Sequence, residues 1–427
     1  LKPEIKKRIE QIKKGVVPEG YKKTRVGIVP SEWDVSKIGN FIKETSQKNK
    51  LNSIQHVVSV TKYKGIVDSL DYFKNHQVFS QNLSGYKVIR KGQYAFPPIH
   101  LNEGAIGRLN HADEAVLSPM YTVFKLNESQ YNSDIFIGII KSKKYLEMYK
   151  TMVQGTVNRR GAISLKDFST IPIVSPPLPE QEKIAEILST WDKAIELKEQ
   201  LIAGKKQQKK WLMQNLLTGK KRLPGFSGEW QEVRLGDVCT INDNVLSENT
   251  QSNFEFWYID LSSVDKGKIA HPTLAVKFEE LPSRARRLFK KDDILMSTVR
   301  PYLLGFAYID KEYDHYVCST GFAVIRAKEA VCSKFVYHTL FSGGVIRQMN
   351  QRLMGTNYPA LNNDDVYQLY FELPPLPEQT AIAEILSTAD REIDLHEKHL
   401  EELKKQKKAL MQLLLTGIVR VNAQEVS

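Results

Sequence analysis

Residues 176–219, PPLPEQEKIAEILSTWDKAIELKEQLIAGKKQQKKWLMQNLLTG, recur as residues 374–417, PPLPEQTAIAEILSTADREIDLHEKHLEELKKQKKALMQLLLTG. The two copies align without a gap at an offset of 198, and about 28 of 44 positions are identical. A chain carrying such a copy folds as a tandem duplication, so whatever the flanking stretches build, they build twice. Those flanks have diverged almost beyond recognition. One part of the repeat has been held to a common shape while the other has been free to become two different things.

The retained segment reads as a long helix. Prolines at 176, 177 and 179, and again at 374, 375 and 377, stop whatever precedes them, because proline lacks a donor and forces its predecessor out of the helical region. Pro179 and Pro377 suit a first helical turn, Glu180 and Glu378 set negative charge at the positive end of the dipole, and Gly219 and Gly417 suit a left-handed terminus. About 40 residues at 1.5 Å each make a rod of roughly 60 Å. Ile184, Leu188, Trp191, Ile195, Ile202, Leu212 and Leu216 follow a 4-3 spacing, with Lys198, Lys205 and Lys209 in the weaker turns. Ile382, Leu386, Ala389, Ile393, Leu400, Leu403, Leu410 and Leu414 repeat it. An apolar period near 3.5 is a coiled-coil seam, and the simplest partner for each helix is the other one.

Residues 220–373 lie between the copies as a compact domain whose ends are expected to be close, so the first helix finishes where the second begins and the pair is antiparallel. Full overlap then matches positions whose numbers total about 600, placing Trp191 near Ala409 and Trp211 near Ala389. The expected order is a basic arm (1–25), a first globular domain (26–178), a helix (179–219), a second domain (220–376), a helix (377–419) and a tail (420–427).

The two globular stretches share a faint skeleton. Glu32-Trp33 with Gly39 matches Glu229-Trp230 with Gly236, AVLSPMYTVFK at 115–125 resembles YVCSTGFAVIR at 316–326, and Gly155-Thr156 matches Gly355-Thr356. Trp33 and Trp230 read as core anchors. β-Branched and aromatic runs at 55–60, 87–95, 256–261 and 293–299 predict strands, and 135–149 and 334–349 predict helices. The fold class is therefore α+β, with two mixed α/β domains separated by two long helices in an antiparallel coiled coil, a pseudo-twofold tandem repeat.

A formal net charge of +12 and a pI near 9.2 point to a polyanionic partner, nucleic acid first. Half of the excess sits in residues 1–25. Cys239, Cys318 and Cys332 have neither zinc nor disulfide-framework spacing, and His56, His100 and His111 have no ligand spacing. No apolar run approaches a membrane span and no signal peptide is evident, so a cytoplasmic location is expected. A G-x4-GK[ST] phosphate loop is missing. Ser175-Pro176-Pro177-Leu178 approaches an amino-methyltransferase motif but ends in leucine and reads as a strand-to-helix junction.

The PPLPEQ-x2-IAEIL motif at 176–188 and 374–386, the LLTG helix ends, the EW-x5-G domain openings and KKDDILMSTVRP at 290–301 together make the chain resemble, over nearly its whole length, the specificity subunit of Type I restriction-modification systems. The resemblance implies two target-recognition domains, each reading one half of a bipartite, asymmetric site in double-stranded DNA. It implies helices that set the spacer and dock two identical methyltransferase subunits, with motor/endonuclease subunits joining through the complex. S-adenosylmethionine and ATP are then expected on those partners, with no cofactor or catalytic residue in this chain. Two alternatives stand beside it, a stand-alone duplicated DNA-binding regulator and a degenerate enzyme.

Phosphates favour Lys and Arg, while base edges favour Arg, Asn, Gln, Ser, Thr and Tyr on exposed loops. By those criteria the DNA-contact candidates in the first domain are Lys62, Tyr63 and Lys64, with Gln154, Asn158, Arg159 and Arg160. In the second they are Arg284, Arg286 and Arg287, then Ser297, Thr298, Arg300 and Tyr302, with Arg352, Asn357 and Tyr358.

Overall fold

The computed structural model describes residues 2–74, 76–154, 161–353 and 359–421. Two compact units emerge, one made of residues 1–197 with 401–427, the other of residues 198–400. Each long helix, Leu178–Leu216 and Leu376–Leu415, contributes to both units.

The same antiparallel four-stranded sheet recurs in both. In the first unit its order is Ile42–Glu44, Thr122–Leu126, Tyr94–Phe96, Gly107–Arg108; in the second it is Cys239–Ile241, Phe322–Ala327, Ile294–Ser297, Phe306–Tyr308. Ala95 pairs with Val123 and Gly107, and Leu295 with Val324 and Ala307, so the registers superpose. The helical stretches expected at 135–149 and 334–349 are each two helices, Ser133–Ile140 with Lys143–Gln154 and Ser333–Leu340 with Gly343–Arg352.

Each domain closes beside its own beginning. Strand Pro172–Ser175 pairs with Asp34–Lys37, and Tyr370–Leu373 pairs with Gln231–Arg234, just before the prolines. That closure is what brings the two ends of residues 220–373 together. Both helices end as the sequence indicates, with Gly219 at φ 66° and Gly417 at φ 69°, a backbone that a Cβ would strain.

The helices run antiparallel within each unit. In the first, Ile184 and Leu188 are buried in one core with Leu414 and Leu415, and the Lys407 ammonium meets the Asp192 carboxylate. In the second, Leu216 and Leu217 share a core with Ile382 and Leu386, and Lys209 bonds Asp390 at 2.5 Å while Lys205 reaches Glu392 at 2.7 Å. These pairs lie within a turn of the expected register. None of the fifteen predicted seam residues is exposed. The lysines that interrupt the seam extend across it: Lys198 also reaches His396, at 2.9 Å.

One detail of the register differs. Trp211 does not pack over Ala389; it is 49% exposed, with the Lys221 ammonium 5.1 Å from its ring. Leu212 takes that place, lining a small gap with Ile385 and Ala389, and Ala409 is exposed rather than covered by Trp191. A heptad fixes which face is buried, but neighbouring large residues compete for the seam, and the branched aliphatic fills it with less rim exposed.

Both tryptophans anchor the junction of domain and helix. Trp33, fully buried, donates its Nε1–H to Glu180 at 2.8 Å, and Arg420 adds bonds to both carboxylate oxygens at 2.7 and 3.0 Å. Trp230 donates likewise to Glu378 at 3.1 Å, where Arg222 is bidentate at 2.7 and 2.6 Å. The adjacent glutamines repeat the scheme. Gln181 bonds Pro176 O and accepts from Asn132 N, while Gln379 bonds Pro374 O and accepts from Cys332 N. A buried carboxylate or amide is tolerated only when its oxygens are occupied, so the Glu-Gln pair of the repeated motif has an internal reason to be retained.

Buried His338 is a second tie, its Nε2 3.0 Å from the Ser387 hydroxyl of the second long helix. Burial, with Lys209 and Lys334 nearby, lowers its pKa from 6.5 to about 3, so it faces Asp390, 3.9 Å away, as a neutral ring rather than an ion-pair partner. Between those values the unfolded chain binds a proton that the folded chain refuses, so this position destabilises the fold as pH falls through 6.5 towards 3. His338→Gln should therefore flatten the decline in urea midpoint between about pH 7.5 and pH 5. An unchanged decline would show that His338 is not the titrating group.

Candidate nucleic-acid interface

Strands Val58–Thr61 and Gly65–Asp68 form a hairpin whose turn is Lys62, Tyr63 and Lys64, all three exposed. The tip is held, not loose. Thr61 Oγ1 donates to Gly65 O at 3.1 Å and accepts from Lys64 N at 3.1 Å, and the Lys141 ammonium reaches Lys62 O at 3.4 Å and Ile106 O at 3.3 Å. The hairpin crosses its sheet so closely that a Cβ on Gly107 would stand 2.6 Å from Ile66 N. Only glycine admits that approach.

Basic groups and rings interleave there. The Lys62 ammonium lies 5.3 Å from the Tyr63 ring centroid and that of Lys64 5.9 Å from Tyr72, which meets Phe73 edge-on at 5.1 Å. Tyr72 and Phe73, both exposed, were not apparent as site residues from sequence. They belong to the one-turn helix Ser69–Tyr72 and its cap, started by Asp68, whose carboxylate accepts from Leu70 N and Asp71 N and also bonds His56. The run Asp-Ser-Leu-Asp-Tyr-Phe-Lys after a strand carried that capping signal. Gln154 ends the helix Lys143–Gln154; its side chain and Asn158, Arg159 and Arg160 lie outside the described residues.

In the second domain the candidates divide. Arg284 is exposed beside strand Ala285–Leu288, whose pairing with Tyr316–Ser319 slips between Ala285 and Arg287. Arg286 rests over the Phe278 ring at 5.7 Å. Arg287 stands opposite Cys318 with one guanidinium nitrogen buried and without a hydrogen-bond partner, and burial lowers its pKa. Arg300, at φ 49°, opens the turn that exposes Tyr302 and Leu303. Arg300 N bonds Pro359 O and Leu361 N bonds Thr298 O, so this turn adjoins residues 359–361. Asn357 and Tyr358 lie outside the described residues.

Three expectations are corrected. Ser297 and Thr298 are buried, and their hydroxyls donate to Val299 O at 2.8 Å and Gly321 O at 2.9 Å, so neither presents a group at the surface. Arg352 is half-buried and spends its guanidinium on Gln348 O at 3.2 Å and Gln368 O at 3.4 Å, closing the end of its own helix. A residue type that reads bases on a loop satisfies backbone carbonyls equally well inside.

Cys239 and Cys318 are buried with pKa values pushed up to about 12, which leaves them as inert thiols. Among the described residues no cluster of His, Cys, Asp or Glu could hold a metal ion, and no helix is long and apolar enough to cross a membrane.

The family described as Type I restriction modification DNA specificity domain matches residues 30–204 and 227–405. The Type I restriction enzyme MjaVIII specificity subunit of Methanocaldococcus jannaschii is 26% identical over 429 residues, 94% of this chain and 96% of that one. The HindI specificity subunit of Haemophilus influenzae is 28% identical over 205 residues, 47% of this chain and 44% of that one. Among solved structures, a chain from work on complex assembly and conformational transition of the type I R-M system superposes with a TM-score of 0.54 at 17% identity, covering 92% of this chain and 99% of that one. The S subunit of a Type-I restriction-modification system from M. genitalium gives 0.51 at 14% identity, covering 90% and 96%. At such identities the structural likeness speaks to the fold.

Proposed function

The chain belongs to the family of Type I restriction modification DNA specificity domains, matched in both halves, and from that premise we propose that each of its two domains reads one half of a bipartite, asymmetric DNA site. The helix pair sets the spacer between the halves and docks two copies of a methyltransferase, through which a motor/endonuclease joins. S-adenosylmethionine and ATP bind on those partners in the cytoplasm, and this chain supplies recognition.

One observation favours this reading over a regulator that works alone. Among the positions identical between the repeats, several face outward in both copies: Glu186 and Glu384, Thr190 and Thr388, and Leu197 and Leu395 are exposed. The leucines are 55% and 65% exposed amid charged neighbours. Two matching outward faces, one on each helix, are what two identical partners need. The readers, by contrast, carry unlike residues on a common sheet.

Purified alone, the chain should transfer no methyl group; co-expressed with its methyltransferase, it should direct adenine methylation to one split sequence on mapping of the whole genome. Methyl transfer by the lone chain, or methylation without a split site, defeats the proposal.

A further inference from the structure

The 58–68 hairpin has a counterpart at 264–269, and the two serve different ends. Gly65 and Gly267 hold similar places: both have positive φ, 68° and 91°, and both abut the edge strand of the shared sheet, Gly65 beside Gly107 and Gly267 donating to Phe306 O at 2.8 Å. Ahead of Gly267 stand buried Val264, then Asp265 and Lys266; after it, Lys268 bonds Glu397 at 2.9 Å and approaches Asp394 at 3.5 Å on the second long helix. That hairpin is a clamp within its own unit, and its two-residue turn, Lys266 and Gly267, carries no ring.

The turn of the first-unit hairpin is one residue longer than Lys266-Gly267 and consists of Lys62, Tyr63 and Lys64. Tyr63 is 85% exposed, the most exposed aromatic ring among the described residues, on a turn already fixed by Thr61 and Lys141. Of the carboxylates in the hairpin and the one-turn helix after it, Asp68 is engaged with His56 and the helix start, and Asp71 is exposed. A projecting ring between two lysines on a held turn is poorly placed to stabilise the fold and well placed to enter a stack of bases, with cations near the phosphates to either side.

We propose that, on DNA, Tyr63 enters the duplex as a wedge at one base step of the half-site read by the first domain, with Lys62 and Lys64 on the flanking phosphates. The counterpart hairpin of the second domain supplies no wedge. Recognition in the first half then includes the ease with which a step opens, favouring pyrimidine–purine steps, and the duplex is deformed in one half only. The proposal rests on the DNA-reading function above.

The test uses the full chain in complex with its methyltransferase on the mapped target, with 2-aminopurine placed at successive positions of both half-sites other than the methylated adenine. Fluorescence is expected to rise several-fold at one step of one half-site. Tyr63→Ala should abolish that rise and weaken binding about 10- to 100-fold, with the salt dependence unchanged, and Tyr63→Phe should retain both. Lys62→Ala with Lys64→Ala should reduce the slope of log K against log salt by about 2. A Tyr63→Ala complex with native affinity and native fluorescence overturns the wedge and leaves the reading function intact. A native complex that binds no specific site overturns both.

Discussion

Replacing Glu180 with alanine is expected to destabilise the first unit by about 3 kcal/mol. The carboxylate is buried and accepts from the Trp33 indole and from Arg420, so its removal leaves a buried N–H unsatisfied and a guanidinium without its partner. Breaking a buried pair from one side costs about 3–5 kcal/mol, and the lower end applies because Arg420 is one-third exposed and regains water. Glu180→Gln should lose less, since an amide oxygen still accepts from Trp33. Glu182→Ala, one helical position from the buried pair and exposed, should stay within about 0.5 kcal/mol of the native chain. The check is the first transition in urea, followed by tryptophan fluorescence. A Glu180→Ala midpoint equal to that of Glu182→Ala would mean that the junction does not hold the domain to its helix.

Deleting residues 198–204 together with 396–402 should change what DNA is recognised without unfolding either domain. Each deletion removes one heptad, so the seam keeps its phase, and the two lie opposite one another in the observed register. Both helices shorten by about 10 Å, which corresponds to roughly three base pairs of duplex. If the pair sets the spacer, mapped methylation should show both half-sites unaltered and a spacer shorter by about that amount. Native half-sites at the native spacing would refute the ruler. Loss of all methylation with native melting of both units would place the requirement in partner docking.

The long helices were legible because several independent signals agreed: prolines and a glutamate at the start, glycine at the end, a heptad between, and a second copy of each. Antiparallel pairing followed from chain closure, which the strand pairing of 231–234 with 370–373 bears out. What periodicity could not resolve was which of two adjacent large residues covers a given position, so Trp211 was expected over Ala389, where Leu212 of the seam lies instead. The interface was harder. A turn such as Lys62-Tyr63-Lys64 declares itself by charge, but Ser297 and Thr298 look like base readers until their hydroxyls are seen bonded to carbonyls, and nothing marks Tyr72 with Phe73 until a one-turn helix turns them outward. Exposure depends on contacts distant in sequence, which composition does not carry.

The arginines at the two junctions come from unexpected places. Glu180 opens the first helix, yet the guanidinium that holds it, Arg420, follows the end of the second; Glu378 opens the second helix and is held by Arg222, which follows the end of the first. Each ancestral copy is thus finished only by its twin. Drift at either partner would have to be answered in the other copy, which binds the inheritance of the two repeats together at these sites while leaving the readers free to part.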